Sequence, residues 1–140
     1  MLIAWHFSPE KGIKRFDLKY INMGLGTTFY GEGIYLTFDK SVIDYYIELI
    51  KQRPVYVYEV AIPETLKVFN EFDTVKSTNR TALGTYADLV ENLGSEAKAT
   101  KEIVKLGVDA IEYYSPEDKH SIVVYNPSKL KILSYKEINA

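Results

Sequence analysis

Cysteine is absent from this 140-residue chain, which removes disulfides, thiolate metal sites and thiol nucleophiles from its chemistry and fits a reducing compartment. Histidine is scarce: His6 and His120 stand far apart, and with the carboxylates scattered no ligand spacing is visible, so no metal is expected. Excess charge of one sign is also missing. Lys and Arg number 17 against 19 Asp and Glu, a formal net charge of -2 without a basic block or an acidic tail. That pattern disfavours nucleic acid as a partner, and an anionic membrane surface with it. No apolar run approaches the roughly 18 residues of a membrane span, and the opening Met1-Leu2-Ile3-Ala4-Trp5-His6 is too short and lacks the basic start of a signal peptide. The expectation is a cytoplasmic protein with no membrane segment.

What is present fills one domain. Hydrophobic residues make up 46% of the chain, enough for a single core over residues 1–140. Twelve tyrosines are a high count for this length, and most of them are expected in the core or on sheet surfaces.

Residues 2–7 read as a strand broken by Ser8-Pro9-Glu10-Lys11-Gly12, and 13–30 as a loop with at most one helical turn. After Gly31-Glu32-Gly33, the run Ile34-Tyr35-Leu36-Thr37 is β-prone, and Asp39 offers an N-cap. Val42, Tyr45, Tyr46, Leu49 and Ile50 then fall on one helical stripe that ends before Pro54. Residues 55–62 predict the strongest strand, expected to be central. The stretch 63–80 reads as irregular, 81–93 as helical, and Ser95 to Leu106 as a capped helix stopped by Gly107. Strand-like runs at 108–114, 121–126 and 130–135 close the chain as antiparallel sheet. Strands and helices do not alternate strictly, so the class is α+β rather than doubly wound.

Three features could build one site: His6 on the first strand, the Gly31-x-Gly33-Ile34-Tyr35 turn, and the late strand Ser121-Ile122-Val123-Val124-Tyr125. Each alone has a plain structural reading. Together and in this order they resemble the ADP-ribosyltransferase superfamily, in its histidine–tyrosine class. Trp5-His6-Phe7-Ser8 looks like that class's aromatic-His-Gly-Ser motif, and Gly31-Glu32-Gly33-Ile34-Tyr35-Leu36-Thr37 resembles G-x-G-[IL]-Y-F-[TA]. Gly107-Val108-Asp109-Ala110-Ile111 and the run from Ser121 to Ile132 are similar to the closing strands of small members associated with phages and mobile elements, and to polymerase-type catalytic domains. The resemblance covers roughly residues 3–46 and 105–133 and leaves 63–104 without an anchor.

The resemblance implies a mainly antiparallel, split β-sheet with flanking helices, and NAD as substrate. Such an enzyme binds a flat cationic ring, holds a ribose and stabilises an oxocarbenium-like transition state. Tyr35 and a second tyrosine would sandwich the nicotinamide, each stack contributing about 1 kcal/mol. Family register makes the second one Tyr46, with Tyr45 one residue away. Backbone groups of Phe7 would hold the carboxamide, His6 would lie beside Tyr35 in the same pocket and contact the adenosine-side ribose, Ser8 would brace the pocket, and Gly33 would let backbone approach the ligand. The chain departs from the family pattern at Phe7, where glycine is usual, at Ile43, near a usual serine, and at Ser121, where polymerase-type members carry glutamate. A serine does not stabilise positive charge as a carboxylate does, so Asp118 and Glu117 in the preceding turn join Ser121 as candidates for the third catalytic position.

These residues support an NAD-dependent mono-ADP-ribosyltransferase acting on an unidentified protein, in the manner of a phage or toxin effector. The alternatives are an NAD glycohydrolase, or an NAD- or ADP-ribose-binding module without chemistry. An RNA 2′-phosphotransferase would need a basic site, for which only Lys14, Arg15, Lys19, Arg53 and Arg80 are available.

Overall fold

The computed structural model describes residues 2–17, 30–51 and 53–139. Most of the segment expected as a loop over 13–30 lies outside them, Lys19 included. In chain order the elements are β1 (Leu2–Ser8), β2 (Ile34–Thr37), α1 (Lys40–Leu49), β3 (Val55–Ile62), β4 (Val68–Asn70), β5 (Thr74–Val75), β6 (Arg80–Thr81), α2 (Ala82–Leu93), α3 (Glu96–Lys105), β7 (Ala110–Ser115), β8 (Lys119–Val124) and β9 (Lys131–Ile138). The class is mixed α+β with a mainly antiparallel sheet. Seven strands run in the order β4-β7-β8-β2-β1-β3-β9, and β5 pairs with β6 apart from them.

Each helix starts where a side chain caps it. Asp39 accepts from the Ser41 amide, Thr81 from Gly84 and Ser95 from Lys98, each cap stabilising by about 1 kcal/mol. Gly94 ends α2 with φ +69°, a left-handed turn that costs glycine nothing. In α1 the buried face is Val42, Ile43 and Tyr46, while Tyr45 and Leu49 are exposed at 54% and 61%. The expected stripe is therefore rotated by one position. Ile43 replaces Tyr45 on the sheet side, because the helix lies across β1 with its i, i+1, i+4 edge inward.

Two other expectations are corrected. Residues 63–80 contain β4, which runs parallel to β7 through Val68↔Ala110 and Phe69↔Ile111, and the β5–β6 pair. Tertiary pairing makes these strands where propensity alone is weak. β3 is not central but second from one edge, between β1 and β9. It reads as strongly apolar because its residues alternate between two buried clusters, with Tyr56, Tyr58 and Val60 on one face and Val55 and Val57 on the other. β9 is antiparallel as expected, and its partner is β3.

The sheet is nearly divided. β1 and β2 share one paired position, Trp5↔Thr37, whereas β1 pairs with β3 along its whole length and β2 with β8 from Ile34 to Thr37. Strands β4, β7, β8 and β2 thus form one half and β1, β3 and β9 the other, meeting at a seam. Strand alternation sorts the side chains at that seam. Ala4, His6, Ile34 and Leu36 face one side, with Phe16 and Tyr58. Trp5, Phe7, Tyr35 and Thr37 face the other, beneath the three helices.

Candidate functional site

The helix side of the seam holds a pocket. Phe7 comes from β1, Tyr35 and Thr37 from β2, Tyr46 from α1, Asp118 from the β7–β8 turn and Ser121 from β8, with Trp5 and Tyr113 completing the wall. β1 and β2 share only the Trp5↔Thr37 pair at this point.

Asp118 is held in place by its turn. Lys119 takes φ +54°, which closes the short connection after Ser115, and the Asp118 amide donates to Ser115 Oγ at 2.9 Å. Its carboxylate turns inward, and the residue is only 8% exposed. Tyr46 donates its hydroxyl to Oδ1 at 2.5 Å, and the Tyr113 hydroxyl reaches Oδ2 at 3.4 Å. Burial, and then this bond to Asp118, raise the Tyr46 phenol well above its ordinary value. Burial and the nearby Asp118 charge do the same for Tyr113. Behind Tyr113 lies Tyr30, stacked on it at 4.1 Å, whose phenol is pushed up to about 12 by burial and by its bond to Glu71. Both phenols that meet Asp118 are thus neutral donors at physiological pH.

Ser121 is buried, and its hydroxyl donates to the Asp118 backbone oxygen at 2.6 Å. It braces the turn that presents the carboxylate. Glu117 is exposed and lies on the solvent side of that turn, beside Ser41, Tyr45 and Lys119. Phe7 turns its ring into the pocket and stacks on Tyr46, with centroids 5.7 Å apart and planes at 20°. Tyr45 meets Tyr46 edge-on from outside, so Tyr46 is the helix tyrosine that lines the pocket.

His6 is not in this pocket, contrary to expectation: its side chain and that of Tyr35 lie on opposite faces of the sheet, an arrangement that counts against the ADP-ribosyltransferase resemblance. Alternation along β1 sends its ring to the opposite face, edge-on to Phe16 at 5.1 Å. What joins it to Tyr35 is a hydrogen bond: Nδ1 lies 2.7 Å from the Tyr35 backbone oxygen and, facing a carbonyl, must carry the proton. Where β1 and β2 separate, the imidazole satisfies a carbonyl that a paired strand would otherwise bond. Nε2 is buried with no partner among the described residues. Ser8 shares the His6 face, fully buried, and its Oγ accepts from the Glu10 amide instead of bracing the pocket.

Tyr35 is tied down at its far end. Its hydroxyl accepts from the Tyr30 amide at 2.9 Å and donates to the Gly31 oxygen at 2.6 Å, so it shapes the glycine turn as well as the pocket wall. Gly33 is needed for packing within the chain. A Cβ there would sit 2.7 Å from Val123 Cγ2 and 2.8 Å from the Val124 oxygen, so the residue lets β2 lie against β8. Gly31 takes φ +92° against the Tyr86 ring.

Two pocket residues escape a reading from motifs. Tyr113 is one of many tyrosines, and its signal is only an inward position on a late strand. Thr37 stands within a motif but acquires its place from pairing with Trp5 and Ser121. Among the described residues no group of three or more His, Asp and Glu is placed to hold a metal ion, and no helix is long and apolar enough to cross a membrane.

No family model matches this chain, and no curated protein or solved structure matches it either.

Proposed function

We propose that this chain has an ADP-ribosyltransferase-like fold and cleaves the nicotinamide–ribose bond of NAD, passing ADP-ribose to a protein acceptor. The observation that carries this reading is the meeting of Phe7, Tyr35, Tyr46, Asp118 and Ser121, from four separated parts of the chain, at one pocket. Its wall is aromatic, with a carboxylate at one end. Such a wall suits a flat cationic ring and disfavours a phosphate. The identity of the ring comes from the resemblance in sequence alone, whose implied place for His6 beside Tyr35 in the pocket is not met.

In this reading the bond from the ribose anomeric carbon to the nicotinamide nitrogen breaks, the ring leaves with the electron pair, and the ribose gains oxocarbenium character. Asp118 is the group suited to stabilise that charge. Ser121 positions Asp118 through its backbone oxygen, and His6 keeps β1 against β2 without touching substrate. The pocket itself gives no identity for the acceptor.

The test measures nicotinamide release, NAD affinity and labelling of host lysate proteins by labelled NAD. The wild type should release nicotinamide and label a protein. Asp118→Asn should lower turnover by tens to thousands of fold with NAD affinity nearly unchanged, on the order of other electrostatic contacts made in a transition state. Glu117→Gln should change neither. Equal turnover in Asp118→Asn and the wild type removes the mechanism. A second reading, an NAD-binding module without chemistry, is favoured by one observation: Ser121 stands where a glutamate would, and its proton is committed to the Asp118 oxygen. NAD bound with no nicotinamide released selects it.

A further inference from the structure

Phe7 lines the pocket beside Tyr35, Tyr46 and Tyr113 and, unlike those three, has no hydroxyl to anchor its ring. The Tyr46 hydroxyl is fastened to Asp118, and the Tyr35 hydroxyl to Tyr30 and Gly31. Phe7 lies near the end of β1, past the single Trp5↔Thr37 pair, so its flank toward β2 is not laddered. Its ring covers a flat face of Tyr46 at 5.7 Å, the separation at which an aromatic ligand would stack. The free interior left between the walls is about 40 Å³, well below the roughly 300–1,000 Å³ of ligand pockets.

We infer that Phe7 is a specificity-determining residue whose ring occupies the slot beside Tyr46 and must turn out before a nicotinamide-type ring enters. This rests on the NAD reading above. The motif that Trp5-His6-Phe7-Ser8 resembles has glycine at this position, so the plug is a property of this chain. Every ring that binds must first displace the Phe7–Tyr46 stack and replace it. The pocket thereby discriminates against small apolar rings, which lack the carboxamide that the Phe7 backbone would hold in the NAD reading. The displacement lowers the apparent affinity by the cost of one aromatic pair, roughly two- to tenfold.

The experiment uses the full chain with NAD and free nicotinamide as probes. Phe7→Ala opens the slot. Phe7→Leu removes the stacked ring but keeps apolar contact with the neighbours of Phe7, Val42 and Val57 among them. Both should lower KM for NAD and the dissociation constant for nicotinamide by roughly two- to tenfold. In the wild type, the magnetisation-transfer contact between the Phe7 and Tyr46 rings should disappear at saturating NAD, a readout that needs no variant. Persistence of that contact in the saturated complex overturns the inference, as does unchanged or weaker binding in a folded variant; either result leaves the NAD reading standing if the wild type binds NAD. Failure of the wild type and both folded variants to bind either probe overturns the NAD reading, and this inference with it.

Discussion

At the scale of single residues, the informative groups are those whose environment contradicts their solubility. His6 is 5% exposed, and burial lowers its pKa from 6.5, offset only in part by its bond to the Tyr35 oxygen. The folded protein therefore holds His6 neutral, with Nδ1 as donor, while the unfolded chain takes up a proton as pH falls past 6.5. Because the unfolded state binds more protons, stability is full above pH 6.5 and declines below it. The urea midpoint should drop between pH 7 and pH 5, and His6→Asn, whose amide can still donate to the Tyr35 oxygen, should drop less over the same range. Equal slopes for the two proteins would show that His6 does not carry this dependence. The residue types at the pocket were legible in the sequence, because Tyr35, Tyr46 and Asp118 sit in or beside recognisable motifs. The side of the sheet that His6 faces was not. That depends on which residue of β1 meets Thr37, and a register is set by pairing across the chain.

At the scale of elements, the glycine turn and the strand after it form one device. Gly31 is left-handed beneath Tyr86, Tyr35 folds its hydroxyl back to the same turn, and Gly33 brings β2 close to β8. The close approach at Gly33 is against a backbone oxygen, which cannot swing aside as a flexible side chain can. Gly33→Ala should therefore cost about 1–3 kcal/mol, as overpacking does elsewhere, seen as a lower thermal midpoint. An unchanged midpoint would mean that β2 and β8 can separate freely. The helices were legible where caps and glycine stops are local: Asp39, Ser95 and Gly107 mark ends that the chain respects. Strands β4 to β6 were not legible, since two or three residues gain strand geometry only from their partners. The rotated face of α1 was hidden for a related reason. Val42, Ile43, Tyr45, Tyr46 and Leu49 are apolar over more of the helix than the sheet covers, and docking decides which of them is wasted on solvent.

At the scale of the whole molecule, the pocket lies where the two halves of the sheet are least joined. One residue pair and the His6 bond to Tyr35 connect β1 with β2, while β1–β3 and β2–β8 are full ladders. A seam of this kind opens more readily than either half, because few hydrogen bonds need to break. A molecule bound against Phe7 and Tyr46 on one side and Tyr35 and Asp118 on the other would bridge it. If NAD binds there, saturation at a hundred times its dissociation constant adds about 2.7 kcal/mol to the stability of the whole fold. Exchange that needs complete unfolding should then slow uniformly. Exchange through local opening should slow at the seam, in the amides of Phe7, Ser8 and Tyr35 to Thr37, and stay unchanged along the exposed outer strand β9. Amide exchange with and without NAD resolves these segments. Protection gained in β9 and α3 with none at the seam would place the ligand elsewhere and leave the convergence of Phe7, Tyr35, Tyr46 and Asp118 as core packing.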